Sequence, residues 1–437
     1  IMMKKNGTIY FLLALVCLGL QSCLFQEEDY FDDSSANRAT ADVKRCSELL
    51  EAAPNGWVME YYVGKDYSLG GITLLCKFDG QRVTMASQIA GADETVSSLY
   101  SVKSEQATML SFDTYNYLVH YFGQPQGSMA DDPNGTLGGD YEFVISDATA
   151  DRIELKGKKY GNRIVMKAFS ADQTWKQYLT RIKKVEDDAF FYEYDLRMDG
   201  LYTGQMLRSN YTFIVTYYDE VGKVHQKTVS FMFTTDGMRF HEPVTIDGQT
   251  MQNFVWKNEE ISFVCTDEGA TGVKMKGIYI DGYQSYDYYP GTYLMDFYRL
   301  NGATNQLEVA SQEIQLVKNE DGKSYWLKGL EYDILVTYDK PRGGLSILPQ
   351  FLKKVQGGYV YLAMWDLMND YVLRSSAIGL ISYPTTDGIY LVDNGVWIGE
   401  ISGFIFGVYN SQDEEASFMG YTDAVAAIRL IKKTIEE

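Results

Sequence analysis

The sequence predicts a mainly β protein of two or three antiparallel β modules, barrel- or sandwich-like, with a short N-terminal helix and one linking helix. Three observations carry that expectation. Short apolar runs alternate with a period of two along most of the chain, as half-buried strands require. Gly, Asn, Asp and Pro clusters punctuate those runs at short spacing, the pattern of sandwiches and barrels. Tyrosine is the compositional outlier, with 35 among 437 residues, and aromatic residues favour strands.

The first residues read as an address rather than as part of the fold. Lys4 and Lys5 precede an apolar run from Ile9 to Leu20. That run is short of the roughly 20 residues a stable membrane span needs and suits the apolar region of a cleaved signal. Leu20-Gln21-Ser22-Cys23 follows. A thiol directly after a small residue, with Leu three positions before it, resembles a lipobox, in which the cysteine is acylated (a palmitate-type anchor) and residues 1–22 are removed. Cys17 fits less well, because bulky Val16 precedes it. The alternative is a plain secretory signal cut near Ser22. Residues 23–33 carry Glu27, Glu28, Asp29, Asp32 and Asp33, an acidic tether too poor in apolar surface to fold. Acidic residues just after a lipid cysteine resemble the surface-export signals of Bacteroidota lipoproteins; the alternative is a flexible spacer on a periplasm-facing lipoprotein. The expected location is the outer membrane, lipid-anchored through Cys23, facing outward at the cell surface.

The first module is expected over residues 34–189. Ser34 and Ser35 offer helix caps, and Val43, Cys46, Leu49, Leu50 and Ala53 recur at helical spacing until Pro54-Asn55-Gly56 stops them. Trp57, Met59, Tyr61 and Val63 then alternate as a strand. Gly71 to Phe78, a turn at Asp79-Gly80, and Arg82 to Ala86 read as a hairpin. Further strands are expected over Leu110 to Phe122, Tyr141 to Ser146, Arg152 to Leu155 and Arg163 to Ala168. The linking helix puts Trp175, Tyr178, Leu179, Ile182 and Val185 on one face, with Asp172 as its cap and Lys176, Lys183 and Lys184 outward.

A middle module spans residues 190–289 and a C-terminal one residues 290–437. Tyr211 to Tyr218 and Lys227 to Thr234 alternate well, and Asp236-Gly237 before Met238 echoes Asp79-Gly80. Short strands continue from Thr292 through Phe406, and Ala424 to Ile431 reads as a closing strand or a short helix. The strand endings Leu155-Lys156-Gly157, Met275-Lys276-Gly277 and Leu327-Lys328-Gly329 suggest related modules.

Removing residues 1–22 leaves 437 − 22 = 415 residues, enough for two or three cored domains. The chain's net charge of −20 becomes about −22 once Lys4 and Lys5 are lost. A field of that sign repels phosphate backbones, so nucleic acid is not expected as a partner. With Cys23 acylated, Cys46, Cys76 and Cys265 remain, too sparse for a disulfide framework. Cys46 and Cys76 read as small core residues, with one bridge between them left open.

Catalytic motifs are sparse. His120, His225 and His241 are the only histidines, and none forms a helical metal pair. His120 reads as a strand residue. No nucleophile elbow, P-loop or dinucleotide fingerprint appears. Carboxylate pairs for glycoside hydrolysis need spatial proximity, and among 59 acidic residues no pair stands out. Asp131, Asp132, Asn134 and Asp140 share a Gly-rich loop and offer oxygen ligands for calcium, but lack EF-hand spacing; a solvated loop is the preferred reading, and no metal or cofactor is expected. The sharpest binding candidate is the cluster Tyr279, Tyr283, Tyr286, Tyr288 and Tyr289, of which Tyr283, Tyr286, Tyr288 and Tyr289 are the ligand-contact candidates. Exposed rings there would stack on sugar or grip peptide. The competing reading has them seal a junction between modules.

Several strings stand out: Glu28-Asp29-Tyr30-Phe31-Asp32, Ser35-Ala36-Asn37-Arg38, Ala53-Pro54-Asn55-Gly56-Trp57-Val58-Met59-Glu60-Tyr61-Tyr62, Leu110-Ser111-Phe112-Asp113-Thr114-Tyr115-Asn116 and Leu155-Lys156-Gly157-Lys158-Lys159-Tyr160-Gly161. Together they resemble an uncharacterised domain-of-unknown-function family of Bacteroidota surface lipoproteins. The resemblance covers about residues 23–170 and is looser beyond. It implies a setting, nutrient uptake around an outer-membrane transporter and companion lipoproteins, and supplies no catalytic residues. The expected function is a non-catalytic accessory or binding component with a glycan or peptide ligand. A surface hydrolase with an active site invisible in sequence, and a structural partner of other envelope proteins, are the alternatives.

Overall fold

The computed structural model describes residues 34–125, 135–219, 221–413 and 415–433. The chain divides into two compact units, residues 1–183 with 230–235, and residues 184–229 with 236–437. The fold is mainly β and antiparallel throughout, as the alternating pattern predicts.

The first unit opens with helix α1 (Ser35–Ala52), capped by the Ser34 side chain accepting from the Asn37 amide. Its apolar face buries Cys46 and Leu50. At its far end the Trp57 indole donates to the Leu50 carbonyl at 2.9 Å, satisfying one of the carbonyls a helix end leaves unpaired. Eight strands then form a closed up-and-down barrel: β1 (Trp57–Val63), β2 (Gly70–Asp79), β3 (Arg82–Ser87), β4 (Val96–Ser104), β5 (Thr108–Phe112), β6 (Glu142–Ala148), β7 (Arg152–Gly157) and β8 (Arg163–Ala168). Closure is the β1–β8 pairing, Trp57 opposite Ala168 and Tyr61 opposite Ile164. Trp57, Met59, Tyr61, Phe112 and Phe143 are buried, as expected of an eight-strand barrel whose interior side chains can fill.

The expected strand from Leu110 to Phe122 is shorter than its apolar content suggests. β5 ends at Phe112, and helix α2 (Tyr117–His120) follows, because the Asn116 side chain accepts from the Leu118 amide and caps a turn. His120 is therefore helical, not a strand residue. The linking helix α3 (Trp175–Asp188) forms, but its cap is Thr174 rather than Asp172. The Thr174 hydroxyl accepts from the Gln177 amide at 3.2 Å while the Gln177 side chain accepts from the Thr174 amide at 2.9 Å, a reciprocal capping box.

Eight further strands, β9 (Glu193–Met198), β10 (Leu201–Ser209), β11 (Thr212–Tyr218), β12 (Val224–Phe233), β13 (Gly237–Ile246), β14 (Gln249–Lys257), β15 (Ser262–Cys265) and β16 (Val273–Ile278), form a second closed barrel, sealed by β9–β16 pairing. The Asp236-Gly237 echo of the first barrel's hairpin turn fails. Gly237 already lies in β13, opposite Val255.

The third sheet has twelve strands: β17 (Gly291–Asn301), β18 (Gln306–Lys318), β19 (Ser324–Lys328), β20 (Ile334–Asp339), β21 (Gly344–Ile347), β22 (Gln350–Val355), β23 (Gly358–Asp366), β24 (Tyr371–Leu373), β25 (Leu380–Thr385), β26 (Gly388–Asp393), β27 (Gly403–Tyr409) and β28 (Phe418–Lys432). The path β17-β18-β19-β20-β21-β25-β26-β28 closes on itself through β17–β28, while β27, β23 and β22 extend it. The strand alternative at Ala424 to Ile431 is the one realised. One edge of β28 pairs with β27 through Ala426 and with β26 from Arg429. Between them Ala427 takes φ +50°, and the register against β17 shifts between Asp296 and Tyr298, a bulge that lets one strand serve two partners.

Candidate functional site

Cys23 and the acidic tether lie outside the described residues, as do Asp131, Asp132 and Asn134. Asp140, the remaining residue of the calcium alternative, is buried, and its carboxylate is used internally. Oδ1 accepts from the Lys159 amide at 2.7 Å and the Tyr160 amide at 3.2 Å. Burial raises its pKa, and those backbone bonds oppose the rise. No group of three or more His, Cys, Asp or Glu residues able to hold a metal occurs among the described residues. Cys46, Cys76 and Cys265 are buried free thiols, so the bridge left open between Cys46 and Cys76 is not formed. His120 stacks on Tyr141 at 4.7 Å, and burial lowers its pKa. His225 pairs with Asp219 at 2.9 Å.

The tyrosine cluster lies in the segment between β16 and β17. Tyr279 and Tyr283 pack on the residues that lead into β9: Tyr283 stacks on Phe190 at 5.9 Å and Tyr279 meets Phe191 edge-on at 5.0 Å. Tyr286 stacks on Tyr325 at 4.7 Å and donates to the Ser324 carbonyl at 2.8 Å, while Tyr325 donates back to the Tyr286 carbonyl at 2.7 Å. Tyr289 is buried and donates to the Gly343 carbonyl at 2.8 Å. Tyr338 donates to the Gln284 carbonyl at 2.8 Å, beside the Tyr283 hydroxyl. Tyr283, Tyr286 and Tyr289 thus clamp this segment onto β19, β20 and the turn before β21. Tyr288 keeps an exposed ring with the Lys432 ammonium 4.8 Å from its centroid. The four candidates are brought together, but with their hydroxyls or faces engaged to different degrees.

A second site, which the sequence did not single out, is an open cleft of about 580 Å³ in the first unit, within the size range of small-ligand sites. It forms where the capping box starts α3 beside the β2–β3 hairpin. Phe169 and Trp175 supply apolar faces; Asn55, Lys77, Thr84 and Gln173 supply polar atoms. The Trp175 indole donates to the Asn55 carbonyl at 3.0 Å, which fixes the ring. The Gln173 Oε1 is buried without a hydrogen-bond partner among the described residues, an arrangement that costs about 1–3 kcal/mol until a partner is found. These groups come from four separate stretches of chain. The one signal in the sequence is Thr174-x-x-Gln177, which places Trp175 in the first turn of the helix rather than deep in its apolar face.

The profile of a family described as a domain of unknown function, DUF4302, matches residues 27–258, more than half of the chain. The chain belongs to the DUF4302 family. A second profile, DUF4987, likewise a domain of unknown function, matches residues 266–392 of this DUF4302 protein. The tyrosine cluster lies within the second match and the cleft within the first. No curated protein matches. Among solved structures, a protein of unknown function from the DUF3598 family of Nostoc punctiforme is 7% identical, with a TM-score of 0.15 over 57% of this chain and 99% of the other.

Proposed function

We propose that this DUF4302 protein is a lipoprotein held on the outer face of the outer membrane through acylated Cys23. There it acts as a non-catalytic binding component of a nutrient-uptake system built around an outer-membrane transporter and companion lipoproteins, with a glycan or peptide as ligand. The observation that carries the binding role is the cleft at the start of α3. A fixed indole and a phenyl face border a half-buried amide whose acceptor is unpaired, the mix of apolar faces and few polar groups typical of small-ligand sites. The address rests on the Leu20-Gln21-Ser22-Cys23 sequence and the acidic residues after it.

Two measurements test the reading. Cys23→Ala is expected to abolish fatty-acyl labelling and to release the protein from the membrane fraction; a variant that stays membrane-bound overturns the anchor. Calorimetric titration of the whole protein with a neutral oligosaccharide series and with a tryptic casein digest is expected to show saturable binding by one of the two. Trp175→Ala should remove that binding while leaving the unfolding transition in place. Absence of binding by both, or binding indifferent to Trp175, overturns the cleft.

A further inference from the structure

The loop between β26 and β27 shows an unusual combination, heavy internal bracing and exposed apolar side chains. Ile398 is 97% exposed and Val396 55% exposed. A flexible loop would let such side chains collapse onto the sheet. This loop is held from several directions. The Asp393 carboxylate accepts from the Gly395 amide at 2.6 Å and the Ile401 amide at 2.7 Å. The Asn394 side chain accepts from the Val396 amide and donates to the Ala377 carbonyl at 2.8 Å. The indole of Trp397, between the two exposed residues, donates to Asp366 Oδ2 at 3.0 Å. Asp366 ends β23 fully buried, and the same carboxylate accepts from the backbone and side-chain amides of Asn369. Gly399 is required there, because a Cβ would lie 2.2 Å from Asp366 Oδ2.

Asp366 therefore couples this loop to the β23–β24 hairpin, where Met368 is 81% exposed. Tyr371 of that hairpin meets Trp397 edge-on at 5.7 Å. The result is a rigid apolar tip of Val396, Ile398 and Met368 on a Trp397–Tyr371 base. Ordering a loop is a main cost of association, and here it is already met in the free protein.

The charges around the tip choose among occupants. Residues 366–371 and 393–402 contain no Lys or Arg. Asp366 is buried and Asp393 is bonded within the loop, which leaves Asp370 and Glu400 as the exposed charges beside the tip. Apolar side chains that enter an anionic membrane surface are normally flanked by Lys and Arg, so this rim disfavours that surface. A second copy would set carboxylates against carboxylates. A protein pocket with a basic rim matches both the apolar tip and its surround, the arrangement of an interface anchor with charge complementarity.

We propose that Val396, Ile398 and Met368 form a docking finger that inserts into an apolar pocket of another protein, a pocket rimmed by Lys or Arg. The finger belongs to the second unit and the ligand cleft to the first, and the proposal does not depend on the cleft.

The test places a photoreactive diazirine leucine analogue at position 398 of the full-length protein in the intact cells that produce it. Crosslinked peptides are then sequenced by mass spectrometry. The expected result is one dominant protein adduct whose crosslinked peptide pairs apolar residues with Lys or Arg. Its yield should fall about tenfold or more when Val396→Asp and Met368→Asp are combined, and also when Asp370→Lys and Glu400→Lys are combined. The exposed positions are expected to leave the melting transition unchanged in both variants. Asp366→Asn, which loosens the brace without altering the tip, should lower the yield as well. Adducts only to lipid, only to a second copy of the chain, or no adduct above an unirradiated control would each overturn the proposal. So would a protein adduct indifferent to the charge reversals.

Discussion

The Tyr61 hydroxyl donates to the Asp140 carbonyl at 2.9 Å and lies 2.7 Å from the Asp140 amide, from which it accepts. One phenol inside the first barrel thus satisfies both backbone groups of a residue 79 positions away in sequence. The ring itself meets Phe122 and Phe143 edge-on, and burial holds its hydroxyl in the neutral form by raising its pKa. Tyr61→Phe keeps the ring contacts and orphans the amide and the carbonyl. Each buried orphan costs about 1–3 kcal/mol. A lowered urea midpoint for the first unit, at unchanged slope, is the expected outcome; an unchanged midpoint would show that the pair carries no stability.

The same pair illustrates what could be read in the sequence. Tyr61 was placed on an alternating strand by its neighbours Met59 and Val63. That part needs only local periodicity, and the helix over Val43 to Ala53 was legible for the same reason. Asp140 was legible only as an oxygen donor in a Gly-rich loop, because its true partners, the Lys159 and Tyr160 amides, are fixed by tertiary approach. The strand expected from Leu110 ends at Phe112 because one side-chain cap, Asn116 on Leu118, outweighs the apolar content of residues 117–122. Closure of the third sheet is legible only as one of two readings of Ala424 to Ile431, a closing strand or a short helix, and the strand it closes on is not. Tyr293 pairs with Lys432, and no local pattern encodes a partner at that separation. The cleft escaped for a related reason, since Lys77, Thr84, Phe169 and Gln173 have nothing in common until the barrel forms.

Gly56 and Gly80 separate backbone strain from collision. Both have positive φ, +82° and +59°. A Cβ on Gly56 would lie 2.4 Å from the Cys76 carbonyl oxygen, whereas one on Gly80 meets nothing within 4 Å. Gly80→Ala is expected to cost about 1–2 kcal/mol from the left-handed conformation alone. Gly56→Ala adds the displacement of β2 and should cost clearly more. Equal shifts in urea midpoint for the two would mean that the stop after α1 yields freely to a methyl group.

Tyr286 and Tyr288 differ sharply despite lying two positions apart. Tyr286→Ala removes a stacked ring and its bond to the Ser324 carbonyl. We expect a loss of roughly 2–3 kcal/mol, below the 3–5 kcal/mol of a fully buried aromatic truncation because the ring is only half-buried. Tyr288→Ala removes an exposed ring and should stay within about 1 kcal/mol. Thermal unfolding of the two variants checks this. If Tyr286→Ala melts with the native protein, the clamp onto β19 contributes nothing and the ring is free for a ligand.

Acid should weaken the third sheet at its closing seam. Arg429 on β28 bridges Asp296 on β17 at 2.8 Å and Asp387 in the β25–β26 turn at 2.9 Å. Asp387 also accepts from the Thr385 hydroxyl at 2.6 Å and the Tyr390 hydroxyl at 2.9 Å. These bonds, Thr385 first, stabilise the charged carboxylate and hold its pKa down at about 2, against an ordinary 3.8. A carboxyl whose folded pKa is depressed contributes stability that is fully present above its unfolded pKa. The contribution fades as the pH falls from near 4 toward 2. Its size is limited, because the Asp387 side chain is 54% exposed and solvent screens the pair. Asp387→Asn keeps the side-chain shape and one acceptor oxygen, sets an NH2 donor where the other carboxylate oxygen accepted, and has no proton to take up. The gap in melting temperature between native protein and variant should therefore be widest at pH 5 and above, and should close by pH 2. A gap that stays constant over that range would mean that the seam is held by hydrogen-bond geometry and not by charge.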